Sequence, residues 1–279
     1  MKKLSLLLIC LSLLTFVGCK ESSKDDPVVE PSVEPSVEPS VEPSVDPTEG
    51  RLSGKFAVAD GKYVYFSQGN LEYHCKDKIW RFAEKQYEYI CLSASYVANE
   101  DGPYDGWIDL FCWGTGDNPL RNTEEDSEYS KFTDWGVNKI SNGGNKENLW
   151  RTLTKEEWDY LFKKHKGADA MILTRGSQTW GEEGYMLWPS EIPSYVSFNP
   201  SGENKYTLDE WKDLQDDFGV VFLPYVDLPI GRVEGNPCGQ YWTSSPHTND
   251  KYAWYLFNDL TYYHYRHAAI SVRLVQDVK

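Results

Sequence analysis

The chain has 279 residues and carries 43 Asp and Glu against 28 Lys and Arg, a formal net charge of −15. Such an acid excess repels phosphate backbones, so nucleic acid is not an expected partner. Eleven Trp and 19 Tyr supply ample apolar material for the core of a single domain.

The first residues read as a targeting segment. Lys2 and Lys3 are followed by a mostly apolar run from Leu4 to Val17. That run is too short to span a bilayer and has the length of a signal-peptide core. Phe16-Val17-Gly18-Cys19 resembles the bacterial lipobox, with Phe16 where Leu is usual. The expectation is a signal peptide over 1–18 and a lipid on Cys19, which would hold the protein to the outer membrane. Lys20-Glu21-Ser22-Ser23-Lys24-Asp25-Asp26 resembles the acidic export signal that sends Bacteroidetes lipoproteins to the cell surface.

A tetrapeptide then repeats from Val29 to Ser44 as Val-Glu-Pro-Ser, with Val45-Asp46-Pro47-Thr48 as a diverged copy. Proline at this period blocks helix and ladder alike, and the repeated acids extend the chain. Residues 19–50 are therefore expected to be a disordered stalk, partly polyproline II, of which the twenty repeat residues reach at most about 60 Å at ~3.1 Å per residue. Two lysines in the leader and a net of −7 over residues 20–50 leave −10 on residues 51–279.

The remainder reads as one α+β domain over 51–279. Lys55–Ala59 and Lys62–Phe66 flank Asp60-Gly61, a hairpin signal. Leu71–His74 and Trp80–Ala83 are further short strands. Gly102–Gly116 reads as loop, and the polar stretch to Gly144 as irregular. Thr154-Lys155-Glu156-Glu157 is a capping box, followed by Trp158, Leu161 and Phe162 on one helical face. Thr207-Leu208-Asp209-Glu210 repeats the device, with Trp211, Leu214 and Phe218 on the face and Gly219 at the stop. Val220–Pro224, Gln240–Ser244, Tyr252–Phe257, Leu260–Tyr265 and Ile270–Val275 read as strands. Two helices set among antiparallel strands argue against a wound parallel sheet.

Chemistry-bearing constellations are sparse. Cys75, Cys91, Cys112 and Cys238 remain after the leader, and four cysteines allow three disulfide connectivities or four free thiols. No Cys-x-x-Cys spacing suggests zinc. Asn258-Asp259 lacks the partner loop that a calcium site needs, and His264 and His267 fall on opposite sides of a strand. No metal and no cofactor are expected. Asp105/Asp109 and Glu182/Glu183 are read as surface carboxylates rather than a glycosidase pair. Trp107, Trp113, Trp158, Trp211 and Trp242 are expected in the core. Trp180, Trp188 and Trp254 are candidates for stacking on a sugar, with the loop Gly176–Asn204 as a second candidate binding element.

The segments Val64–Tyr73, Trp80–Glu84, Gly106–Phe111, Trp150–Thr154, Trp158–Phe162, Val221–Pro224, Tyr241–Ser245 and Ser271–Val275 occur in an order that resembles the Fibrobacter major paralogous domain family. The resemblance covers nearly all of residues 52–276. It implies a fold similar to C-type lectin-like and formylglycine-generating-enzyme-like domains, and a binding habit rather than a reaction. Cys238 is the one thiol that formylglycine chemistry would single out, and it lacks a recognisable cysteine partner. Related lectin-like proteins are targets of diversity-generating retroelements, in which adenine-directed mutagenesis rewrites a C-terminal region. The composition between His247 and Ile270 fits that habit.

This segment is the main candidate site. Tyr262-Tyr263-His264-Tyr265-Arg266-His267 lacks the alternation of a half-buried strand and has the aromatic, polar-tipped make-up of a binding loop. The ligand-binding candidates are His247, Asn249, Asp250, Tyr255, Phe257, Tyr262, Tyr263, His264, Tyr265, His267 and Ile270, with no catalytic residue named. Tyr255, Tyr262, Tyr263, His264, Tyr265 and His267 are expected on one exposed face above buried Trp242, Val272 and Leu274. The expected function is capture of a protein or glycan at the cell surface. The alternatives are a carbohydrate-active enzyme and a structural envelope component. Replacing Cys19 by Ala should move the protein from the membrane fraction to the soluble fraction, because the apolar run alone is too short to hold it; unchanged fractionation would contradict lipid anchoring.

Overall fold

Asp60-Gly61 turns the chain between β1 (Arg51–Ala59) and β2 (Lys62–Ser67) in the computed structural model, which describes residues 46–98, 102–174, 181–191, 198–199, 204–224 and 239–279. Gly61 takes φ 73°, the left-handed value that the tight turn requires. Alternation then sends Phe56, Val58, Val64 and Phe66 inward. A second hairpin joins β3 (Leu71–His74) to β4 (Ile79–Phe82). A single turn of helix, α1 (Ala94–Val97), is capped by Ser93. Two short strands follow, β5 (Trp107–Ile108) and β6 (Leu110–Phe111), within the segment expected to be loop.

After β7 (Arg151–Thr152) comes α2 (Lys155–Lys164). Its capping box is complete, with Glu157 N–H donating to Thr154 Oγ1 and Thr154 N–H donating to Glu157. The strands β8 (Gly167–Leu173), β9 (Glu182–Leu187) and β10 (Asn204–Thr207) lead into α3 (Leu208–Phe218), capped in the same way. Gly219 ends α3 at φ 65°, as the sequence predicts. The remaining strands are β11 (Val221–Pro224), β12 (Gln240–Pro246), β13 (Tyr252–Phe257), β14 (Leu260–Tyr265), β15 (Ile270–Ser271) and β16 (Leu274–Asp277).

The strands form four sheets, ordered β1-β2-β16-β7, β10-β8-β9-β11, β14-β13-β12-β15-β6 and β4-β3-β5. Among the described residues the pairings of these strands are antiparallel except β10 with β8 and β12 with β15. Over the described residues the fold is thus mixed α+β with mostly antiparallel sheets and three α-helices. The strand β16 returns to pair with β2, so both ends of the domain share one sheet.

Three expectations need correction. In the second sheet the sequence predicts only β11; β9 lies in the segment Gly176–Asn204 expected to be loop, and β8 and β10 beside it are not predicted, because Gly and polar residues hide the alternation. The strand expected over Ile270–Val275 is broken at Val272–Arg273 and serves two sheets. A third, short helix is present where only two were expected.

The strand β12 divides the core. Tyr241 faces a cluster with Phe56, Phe66, Trp158, Leu161 and Val275. Trp242 faces the other side, with Trp80, Phe82, Phe111, Trp135 and Trp150. Each such ring contributes about 1.5–3 kcal/mol on burial, so β12 is held from both faces. A third cluster packs Trp188, Trp211 and Phe222 under α3.

Arg273 lies inside the domain, 1% exposed. Its guanidinium donates to Gln86 Oε1 at 2.8 Å and Asn70 Oδ1 at 3.3 Å. Gln86 also accepts from Phe222 N–H and donates to the Val220 carbonyl, both at 2.8 Å. No carboxylate balances the charge among these partners, and burial pushes the guanidinium pKa down to about 10. Replacing Arg273 by Ala should cost about 3 kcal/mol, through an orphaned acceptor at Asn70, a lost charge-assisted bond at Gln86 and the emptied volume. Thermal unfolding should then fall by on the order of 6–12 °C; an unchanged midpoint would show that this network carries no weight.

Candidate functional site

The C-terminal candidate segment is a hairpin. The strands β13 and β14 pair without slippage from Tyr252↔Tyr265 to Phe257↔Leu260. Asn258-Asp259 forms the connecting turn, with Asn258 at φ 55°, a conformation asparagine tolerates. That turn accounts for the dipeptide without a metal. Among the described residues no group of three or more His, Cys, Asp or Glu is placed to hold a metal ion.

Strand alternation splits the candidates onto two faces. On the first, Tyr255 stands edge-on to Trp242 at 6.3 Å and carries Tyr262 at 6.2 Å and His264 at 6.0 Å. Phe257 adjoins Tyr262, and Leu260 is the most exposed large apolar side chain of the hairpin. On the second face, Tyr252, Trp254, Tyr263 and Tyr265 form a ladder. His247 joins it from the loop after β12, 4.6 Å from Tyr263 and 5.2 Å from Trp254. Lys155 Nζ sits over the Trp254 ring at 4.9 Å. His267 stacks on Tyr265 at 5.1 Å. The expected single face is therefore two faces back to back, because consecutive residues of a strand point opposite ways.

The exposure of this rim is high for aromatic residues. Tyr262, Tyr263 and Tyr265 are 45%, 54% and 42% exposed, and His264 is exposed with them. Tyr255 and His267 are half-buried. Trp242, Val272 and Leu274 are fully buried, as the sequence predicts. Ile270, however, is a core residue, paired with Phe111 on β6, and leaves the candidate set. Its position at the end of the polar run disguised its return to the frame.

The loop before β13 is stitched by its own polar groups. Asn249 N–H donates to His247 Nδ1, and Asn249 Oδ1 accepts from Lys251 N–H. Asn249 thus shapes the loop while staying exposed, and Asp250 beside it is free to face solvent. At its turn end the hairpin is tied to α2 by Thr261 Oγ1 donating to Asp159 at 2.9 Å.

Local surroundings disfavour the charged form of three rim rings. A hydroxyl hydrogen bond to Tyr265 holds the Tyr252 phenol above its ordinary value, and burial does the same for Tyr255. Desolvation of the ring, helped by His267, holds His264 below the usual imidazole value. The surface therefore offers phenol hydroxyls and the His264 imidazole on ring faces, groups suited to recognition.

Elsewhere the candidates separate. Asp109 is buried and accepts N–H bonds from Ile90 and Leu92, so it is a structural carboxylate and not a surface one. Asp105 pairs with Lys76 at the surface. Cys91 is disulfide-bonded, whereas Cys75 and Cys112 are free. Burial pushes the Cys112 thiol up to about 11, which makes it a poor nucleophile. Cys19 and Cys238 lie outside the described residues, as does Trp180. Trp188 is packed against Phe198 and Phe218 and is buried, so it does not present a sugar-stacking face. Trp107 is half-buried rather than core and stacks under Arg81.

Sequence reasoning missed Tyr252, Lys155 and Leu260 as members of the rim. Tyr252 and Trp254 share a face with Tyr263 and Tyr265 once the two-residue turn fixes the register, which was the available signal. Comparison with family models, curated proteins and solved structures finds no match for this chain.

Proposed function

We propose that this chain is a surface lipoprotein whose lectin-like domain binds a protein or glycan through the β13–β14 hairpin and the loop at His247. The observation that carries the reading is the row of exposed, uncharged aromatic residues on β14 above a fully buried frame. Rings left in water forgo the free energy of burial, and contiguous exposed apolar patches mark interaction sites. Tyrosine gives a large contact area at low entropy cost and keeps a hydroxyl for hydrogen bonding. The lectin-like part is supported by the resemblance of the frame segments and by the pairing of β16 with the N-terminal hairpin. Lipid attachment at Cys19 and display on a stalk rest on the leader and the Val-Glu-Pro-Ser repeat.

The separation between rim and frame is also the arrangement that retroelement diversification needs. Rim residues can be rewritten while Trp242, Ile270, Val272 and Leu274 keep the fold. An adenine-rich near-copy of the 3′ end of the gene beside a reverse transcriptase gene would bear this out, and its absence would remove the diversification reading alone.

The binding reading is tested with the intact chain on arrays of glycans and surface proteins. Replacing Tyr262, Tyr263 and Tyr265 together by Ala should weaken a captured ligand at least 100-fold. The lost cross-strand contacts should cost only about 1–2 kcal/mol, or about 2–8 °C in unfolding temperature. A variant that unfolds would make the tyrosines structural. Full binding by a folded variant would place the site elsewhere, and turnover of a glycan would favour an enzyme.

A further inference from the structure

The strand β14 is the outermost of its five-stranded sheet. Among the described residues, the strand itself carries none of the charges, prolines or bulges that usually protect such edges. Leu-Thr-Tyr-Tyr-His-Tyr contains no Lys, Asp, Glu or Pro, and its pairing with β13 has no bulge. The two-residue turn makes Phe257↔Leu260 the closing hydrogen-bonded pair, so Tyr255↔Tyr262 and Ala253↔His264 continue that set. The backbone groups of Thr261, Tyr263 and Tyr265 therefore point away from the sheet. Of these, the Tyr265 carbonyl is used by Ala268 N–H at 3.0 Å. The others form a ready row of donors and acceptors at the two-residue repeat of about 6.8 Å.

Charge narrows the occupant. Residues 51–279 carry −10. Asp259 at one end of the edge and Asp250 at the other are exposed and have no ion-pair partner among the described residues. The nearby exposed cations are already spent, Lys155 on Asp159 and Lys251 on Asp126, and Arg266, whose charge reaches Asp250, is buried and donates to the Tyr252 and Tyr129 carbonyls. The Lys155 ammonium over Trp254 shows that a ring face of this hairpin accepts a cation. A second copy of the chain would bring the same excess of acid to the same edge.

We infer that the β14 edge accepts an added strand from a protein partner, an extended peptide segment bearing Lys or Arg, with its backbone on Thr261 and Tyr263 and its side chains among the flanking tyrosines. This rests on the hairpin being the binding site and specifies its ligand as polypeptide. Strand addition draws affinity from main-chain bonds and specificity from alternate side chains, which matches an edge flanked by rings on both faces.

The test is selection from a displayed library of random eight-residue peptides on the intact chain, followed by calorimetry with the synthetic winners. The winners should be enriched in Lys and Arg, and their affinity should fall as salt rises. Methylating alternate peptide amides should weaken binding at least 10-fold in one register and leave it nearly unchanged in the other. Tyr263→Pro removes an outward N–H that the β13 ladder does not use, and should weaken binding at least 10-fold. If that variant fails to fold, Tyr263→Lys, which places a like charge on the edge, should do the same. Winners without basic bias, indifference to methylation in both registers, or a dimer of the chain alone that protects the β14 amides from exchange would each overturn the inference. Tyrosine-dependent capture of a glycan with no peptide selected would overturn strand addition and leave the hairpin site standing. Peptides that bind the triple tyrosine variant unchanged would overturn the hairpin site itself.

Discussion

A positive charge sealed in the middle of the domain sets the course of the last third of the chain. Arg273 has no carboxylate partner among its hydrogen bonds, so its stability depends on neutral acceptors held in place by other elements. Asn70 comes from the turn before β3, and Gln86 from the segment after β4, where it is pinned to β11. The side chain reaches them only because the backbone leaves one sheet at Ser271 and enters another at Leu274. The break in that strand is therefore how the frame closes. It fixes β15 beside β12 and β16 beside β2, and the hairpin between β12 and β15 is left to project from a rigid base.

That base and the hairpin divide the energetic roles. Trp242 is buried and its indole N–H donates to the Phe111 carbonyl at 2.7 Å, so β12 cannot shift without breaking the aromatic cluster. Removing such a ring would cost about 3–5 kcal/mol. The rings of β14 sit outside this cluster, in contact mainly with the rings of β13 and with His247. Their cross-strand pairs contribute only about 0.2–1 kcal/mol each. Tyr255 is the hinge between the two regimes, packed on Trp242 below and touching Tyr262 and His264 above. A rim of this kind can change composition at small cost to folding, which is what a recognition surface requires.

Much of the fold was legible locally. Both capping boxes, the Gly219 stop, the Asp60-Gly61 turn and the β13 and β14 strands follow from short-range rules, because each is decided within a few residues. The features that were not legible depend on distant partners. The alternation of β8 and β9 is diluted by Gly and acidic residues, and only pairing with β11 and burial under α3 reveal it. Asp109 looks like any surface acid until the chain from Ile90 to Leu92 wraps it. Trp188 sits in a Pro- and Ser-rich stretch and is a core residue only through Phe198 and Phe218. For the site, composition identified the segment, but Ile270 was lost to the core and the rim was split by strand geometry. Residues with the same chemistry can face opposite ways, and periodicity in a run of tyrosines gives no contrast from which to read the register.

The central claim is that frame and rim are energetically separate within one stretch of sequence. A protease-resistance scan of every substitution from Gly239 to Val275 in the displayed chain measures this position by position. The account predicts loss of resistance concentrated at Tyr241, Trp242, Ala253, Leu256, Ile270, Val272, Arg273 and Leu274, with near-full tolerance at Tyr262, Tyr263, His264 and Tyr265. Losses at the four β14 positions as large as those at the frame would contradict it.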